Sequence, residues 1–179
     1  MFLSLIRKRR SIRRYTQEPV EAEKLDLLVE AALRSPSSMG NTPWEFVIVT
    51  DPEVLERLSA AKPHGAAFLK NAPLAIIVCA DPEKSTVWIE DASIAAIFIH
   101  LAAESLGLGS CWIQIRDRMH NENKPAGAYI SEILDIPGHL QVEAMIAIGY
   151  PAEKAVPHPG EALLYERVFS GAYGRPYRK

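Results

Sequence analysis

The seven residues Leu74-Ala75-Ile76-Ile77-Val78-Cys79-Ala80 carry no charged or amide side chain. A strand with one face on a core and the other in water alternates apolar with polar, so this unbroken run predicts a central strand covered on both faces. The chain must then place layers of secondary structure on both sides of a sheet. A second constraint is the stretch from Trp88 to Leu106, which avoids Gly and Pro and is apolar around most of its circumference between Ile94 and Ala103. It reads as a helix buried on more than one side, for which a partner subunit would supply the second cover.

Shorter signals fill in the order. Leu25, Leu28, Val29 and Ala32 recur at helical spacing behind Glu21-Ala22-Glu23, predicting a helix from Val20 to Leu33 that Pro36 closes. Phe46-Val47-Ile48-Val49 reads as a buried strand, and Asp51-Pro52 as the N-cap and first-turn proline of a short helix carrying Leu55 and Leu58. Gly107 is placed to end the long helix, after which Ser110 to Ile115 reads as a strand and Arg116 to Pro125 as a polar loop. Ile130, Ile133 and Leu134 mark a short helix closed near Pro137, and Val142 to Ile148 a fourth strand. Residues 152–179 read as an extended tail whose Leu163, Leu164, Tyr165, Val168 and Phe169 need a second surface to pack on. Four strands interleaved with helices, without repeat or linker, predict one α/β-type domain over residues 1–179.

With 20 Lys and Arg against 22 Asp and Glu, the net charge of -2 argues against a protein that coats nucleic acid. The apolar stretch 94–103 falls short of the roughly 20 residues a membrane span needs. Phe2 to Ile6 is too short for a signal segment and its positive charges follow rather than precede it. Cys79 and Cys111 lie apart, without metal-ligand spacing, and read as core thiols. The expectation is a cytoplasmic protein with no membrane, nucleic-acid or metal partner.

The basic residues are nevertheless bunched in Arg9-Arg10-Ser11-Ile12-Arg13. The bland explanation is the carboxyl-terminal turn of a helix from Phe2 to Lys8, where cations are favoured. Alternate residues of an extended segment point the same way, however, so Arg9, Ser11 and Arg13 can converge on one anion. The polar loop Ser35-Pro36-Ser37-Ser38-Met39-Gly40-Asn41-Thr42 then leads through Pro43-Trp44 into a strand. Gly107-Leu108-Gly109-Ser110 is no dinucleotide-binding loop, because it follows a helix and precedes a strand, the reverse of the required order. Cys111 lacks the carboxylate-oriented base of a thiol enzyme, and Asp91 and His100 read as satisfied buried or interface groups.

Together the basic run, the serine loop before Pro43-Trp44, Asn71-Ala72-Pro73, Trp88 with Asp91, and Gly149-Tyr150-Pro151 resemble the short, single-domain members of the FMN-dependent nitroreductase family. That resemblance implies a nitroreductase-like α+β fold, with a central mixed, mainly antiparallel sheet flanked by helices and a tail wrapping a dimer partner. It implies FMN at the dimer interface, with Arg9 and Ser11 on the phosphate beside Arg10, and Arg13 near the ribityl chain and the N1/O2 edge. Pro36, Ser37, Ser38 and Asn41 would reach the flavin of the other subunit, and Trp112, Ile113, Gln114 and Ile115 would bring backbone to one face of the ring. NADH or NADPH as donor and a nitroaromatic or quinone as acceptor would exchange in ping-pong order, with no catalytic side chain required. Thr42 stands where many members carry Gln or Asn, Gln114 where others have Glu or Gly, and the late basic pair of many relatives is missing, Lys154 and His158 being nearest. Two other readings are a non-catalytic flavin-binding or regulatory homodimer, and an interaction dimer whose arginines bind another anion.

Overall fold

Residues 2–177 are described in a computed structural model. In chain order they form α1 (Phe2–Lys8), α2 (Ala22–Leu33), β1 (Trp44–Val49), α3 (Pro52–Ser59), β2 (Leu74–Ala80), α4 (Trp88–Ser105), β3 (Gly109–Gln114), α5 (Ala126–Leu134) and β4 (Gln141–Gly149). Single-turn 3-10 segments occupy Ser38–Gly40, Ala67–Asn71, Gly160–Ala162 and Tyr165–Arg167.

The strands lie in the order β1-β2-β4-β3, every ladder antiparallel. β2 is buried along its whole length because it feeds two cores in alternation. Ala75, Ile77 and Cys79 join Leu55, Leu58, Leu69, Ile113, Ile130 and Met145 on the side of α3 and α5. Leu74, Ile76, Val78 and Ala80 join Leu28, Ile99, Ile146 and Ile148 on the side of α2 and α4. The fold is thus α+β, a four-stranded antiparallel sheet between helical layers.

The sheet was expected to be mixed, and it differs for a topological reason. Val49 pairs with Ala75, so the excursion through α3 and the 67–71 turn brings the chain back to the end of the sheet it left. The α4 crossover does make β3 run parallel to β2, but β4 lies between them and is antiparallel to both. Among the described residues, parallel pairing survives only in the isolated bridge between Ser11 and Ser110.

Boundaries follow local chemistry. α2 begins at Ala22 rather than Val20, because Glu21 is still extended at its N-cap. α1 ends at Lys8 with Arg7 and Lys8 in its last turn, so the basic run begins where the helix stops. Gly107 takes φ 77° after α4, where Leu108 N–H reaches Ala103 O (2.8 Å) and Gly107 N–H reaches Glu104 O (3.2 Å), a Schellman closure. The tail is not extended throughout: beyond its two 3-10 turns, Tyr177 N–H bonds Val168 O at 2.9 Å and closes residues 168–177 on themselves. No described helix is long and apolar enough to cross a membrane.

The segment after α1 is held on two sides. Ile12 N–H bonds Ser110 O (3.0 Å) at the start of β3, while Thr16 N–H bonds Tyr150 O and Ala152 N–H bonds Arg14 O, both at 2.9 Å. Glu153 Oε1 accepts from Arg13 N–H at 2.7 Å, and the Tyr15 hydroxyl, buried below, donates to Ile12 O at 2.5 Å. The approach to β3 is so close that a Cβ on Gly109 would stand 2.8 Å from Ile12 Cβ. Gly109→Ala should therefore force Ile12 away and destabilise the fold by about 1–3 kcal/mol, the range for overpacking. Urea denaturation measures this, and an unchanged midpoint would show that the segment yields without cost.

Candidate cofactor site at the open edge of the sheet

β3 has a neighbour on one side only. Ile115 N–H bonds Glu143 O (3.1 Å), whereas the Ser110 and Gln114 carbonyls are taken from outside the sheet by Ile12 N–H and by Lys62 Nζ at 2.9 Å. Since antiparallel residues alternate in the direction of their backbone groups, Ile113 and Ile115 point theirs at β4 and Trp112 and Gln114 point theirs at the open edge. Two neighbouring backbone donors thus face outward beyond the stretch that residues 9–16 cover.

Side chains follow a second alternation. Ile113 and Ile115 lie in the core over α3 and α5, each 1% exposed. Trp112 and Gln114 lie on the α4 side, half-buried. Gln114 is fully engaged there: its Oε1 accepts from Trp112 Nε1 (2.9 Å), and its Nε2 donates to Arg116 O (3.1 Å) and Glu143 Oε1 (3.4 Å). Glu143 is itself buried and paired with Arg116 Nε at 2.9 Å; burial raises its pKa against the opposing pull of Gln114 and Arg116.

The Cys111 thiol marks where the cations meet. Burial pushes its pKa up, while Arg13, a hydrogen bond from Ser11, and Arg9 pull it down. Arg13 also lies 5.9 Å from the centre of the Phe68 ring. Lys62 belongs to the same group: burial lowers its pKa, Arg118 lowers it further, and Cys111 acts in the opposite sense. Arg9 and Arg13, with the Ser11 hydroxyl, thus act on Cys111 of β3, and Lys62 reaches the Gln114 carbonyl with Arg118 near enough to act on it. Cys79 lies elsewhere in the core with its pKa raised to about 12 by burial, and both thiols are free. Among the described residues no group of His, Cys, Asp or Glu is arranged to hold a metal ion.

The sequence reading is thus brought together in part. Arg9, Ser11 and Arg13 each act on the Cys111 thiol, and Ile12 between them is buried. Arg10 does not join them, because its guanidinium donates to the Val156 carbonyl in the tail. Ile113 and Ile115 offer neither a free backbone donor nor a surface side chain, and of the four β3 positions only Trp112 and Gln114 face the edge. Pro36, Ser37, Ser38 and Asn41 form a separate site: Ser38 N–H bonds Asp91 Oδ1 on α4 (2.8 Å), and Thr42 N–H bonds Ser37 Oγ (2.8 Å). No hydrogen bond or ion pair among the described residues joins this loop to the edge of β3. Lys62, Phe68 and Arg118 were missed, since a lysine in the turn Ala61-Lys62-Pro63-His64-Gly65 carries no spacing signal.

The nitroreductase family profile matches residues 6–63 and 58–150. A Methanothermobacter thermautotrophicus protein provisionally named NADH dehydrogenase/NAD(P)H nitroreductase is 38% identical over 167 residues, 92% of this chain and 82% of the relative. The chain belongs to the nitroreductase family. An FMN-dependent nitroreductase from Clostridium difficile R20291 has 49% identity and superposes with a TM-score of 0.94 over 96% of this chain and 99% of that one. An FMN reductase [NAD(P)H] of Bacillus subtilis is 29% identical over 84% of this chain and 66% of its own length. The protein is an enzyme of the NAD(P)H nitroreductase and FMN reductase family.

In this nitroreductase-family chain His100 of α4 anchors the same edge from behind, its Nδ1 2.7 Å from Ser110 Oγ and its ring stacked toward Trp112. Burial, and secondarily Arg9, pushes the imidazole down to about 4. The folded protein then binds fewer protons than the unfolded chain between about pH 4 and 6.5, so this stability is complete above the window and lost as pH falls through it, by about 3 kcal/mol. Urea midpoints at pH 7 and pH 4.5 should differ accordingly, and His100→Gln should reduce the difference. An equal drop in the variant would contradict the assignment.

Proposed function

We propose that the protein is an FMN-dependent NAD(P)H oxidoreductase that works as a homodimer on nitroaromatic, quinone or similar small acceptors. The observation that carries the reading is the unpaired edge of β3, with two outward N–H donors together with the cations and serine hydroxyl that act on Cys111 and reach the Gln114 carbonyl. A flat ring bearing acceptor atoms at its rim and a phosphate dianion on a side chain fits that donor set. Bound there, FMN would supply the hydride exchange with the nicotinamide and the acceptor.

The chain's own part is binding, placement and charge. Arg9 and Ser11 would offer charge-assisted hydrogen bonds to the phosphate. Arg13 and Lys62 are placed in advance, the first beside Phe68 and the second on the Gln114 carbonyl, so their charges favour electron density along that edge without reorganisation. The outward Gln114 N–H would offer the ring a hydrogen bond, and the Gln114 amide holds the Trp112 indole in place. Ile113 and Ile115 fix β3 on the core over α3 and α5.

The dimer rests on surfaces that a monomer leaves bare. Ile94 and Ile97 on the outer face of α4 are 36% and 44% exposed, and Phe2 and Leu3 of α1 are bare beside the same helix layer. A groove of about 370 Å³ between α2 and the free edge of β1 is lined by Val29, Leu33, Phe46 and Ile48, and in its wall the buried Trp44 indole N–H has no acceptor among the described residues. A carbonyl from the partner's tail would satisfy it, and the apolar residues of that tail would fill the groove. The serine loop would then meet the partner's flavin.

FMN titration tests the site: Arg9→Ala and Arg13→Ala should each weaken binding about tenfold or more, close to 1.4 kcal/mol. Unchanged affinity in both would remove the segment from the site. Sedimentation at low micromolar protein should show dimer and no folded monomer. A flavin-loaded monomer would refute the dimer. Lys154 and His158 are both exposed on the tail, which favours a non-catalytic flavin-binding protein as the second reading. Anaerobic addition of NADH or NADPH separates the two: bleaching of the flavin band supports the reductase, and a persistent band supports the second reading.

A further inference from the structure

The loop from Ser37 to Thr42 is held in a costly conformation. Met39 has φ 52°, Gly40 φ 73° and Thr42 φ 43°. A β-branched residue in the left-handed region is a genuine outlier, and such strain persists only where the surroundings impose it. The Met39 side chain is 95% exposed, so apolar burial gives the loop nothing in return.

Backbone bonds from Gly40 N–H to Ser37 O (3.1 Å) and from Asn41 N–H to Ser38 O (2.9 Å) close the turn, and two bonds to side chains hold it in place. Ser37 Oγ accepts from Thr42 N–H within the loop, and Asp91 Oδ1 accepts from Ser38 N–H across 53 residues, both at 2.8 Å. Asp91 is 2% exposed and has no Lys, Arg or His within ion-pair distance among the described residues. Its other oxygen accepts from Ser85 Oγ at 2.8 Å, and Ser85 Oγ in turn accepts from Val87 N–H at 3.3 Å. Taking a carboxylate out of water without a cation is expensive. The hydrogen bonds to the loop and to Ser85 are what offset that cost, and they aim the carboxylate at Ser38.

We propose that Asp91, braced by Ser85, is a positioning residue that holds the strained Ser37–Thr42 loop in the shape that engages the partner's flavin. The proposal rests on the reading of the preceding subsection for its ligand, but the anchor itself can be tested without one. Asp91→Ala removes both bonds. Asp91→Asn keeps an oxygen for Ser38 N–H and offers an amide to Ser85 Oγ.

In the flavin-free dimer, amide hydrogen exchange at Ser38 should accelerate about 100-fold in Asp91→Ala and stay near the parental rate in Asp91→Asn. Thr42→Gly should raise Tm in the parent by relieving the strain, and raise it less in the Asp91→Ala background, where the loop has already relaxed. FMN affinity should fall about tenfold in Asp91→Ala and be restored in Asp91→Asn. A lowered Tm in Asp91→Ala with unchanged Ser38 exchange and unchanged FMN affinity would make Asp91 a stabilising residue only and overturn the proposal. If Asp91→Ala does not fold, Ser85→Ala takes its place, with several-fold faster Ser38 exchange expected and parental exchange overturning the idea. Should the parent bind no FMN, the flavin reading fails and the exchange result still decides the anchor.

Discussion

The hydrogen bond from Ile12 N–H to the Ser110 carbonyl sets how much of β3 is left open. An unpaired strand edge invites pairing, and most folds cover or blunt it. Here residues 9–16 cover only the beginning. Gly109 lets them approach, and the bonds of Thr16, Ala152 and Glu153 then draw the chain toward Tyr150 and Pro151 instead of along β3. Trp112 and Gln114 are left with outward backbone groups, and Arg9 and Arg13 are left beside them. Had pairing continued along the strand, the same sequence would have made a fifth strand and closed the edge.

α4 links this edge to the serine loop. Its inner face of Ala92, Ala96, Ile99 and Ala103 fits closely over the sheet. Near its carboxyl end His100 meets Ser110, and near its amino end Asp91 meets Ser38. The two polar side chains that α4 buries, Asp91 and His100, are thus the two that bond the parts of the candidate site. Its outer face carries Ile94 and Ile97, so a dimer formed on it would join the edge of one protomer to the loop of the other.

Much of the scaffold was legible because its signals are local. The unbroken apolar run of β2 announced two cores, and alternate feeding of those cores explains why no polar residue interrupts it. Gly107 announced the end of α4, and the basic run from Arg9 to Arg13 begins where α1 stops. What the sequence hid is decided by distant partners. The outward direction of Gln114 and the inward direction of Ile113 depend on register with β4. Arg10 looked equivalent to Arg9 until the Val156 carbonyl claimed it. Lys62 reaches Gln114 across 52 residues, and the role of Asp91 depends on a loop 53 residues earlier in the chain.

Backbone amide NMR of the deuterated protein, recorded as FMN is added, asks most directly whether the open edge of β3 is the cofactor site. The N–H resonances of Gln114 and Trp112, with those of Ser11 and Arg13, should shift and saturate together, and the Gln114 amide should become protected from exchange. Ile113 and Ile115, already bonded to β4, should exchange as before. Saturable FMN binding that leaves Gln114 and Trp112 unprotected would place the flavin elsewhere and contradict this assignment of the site.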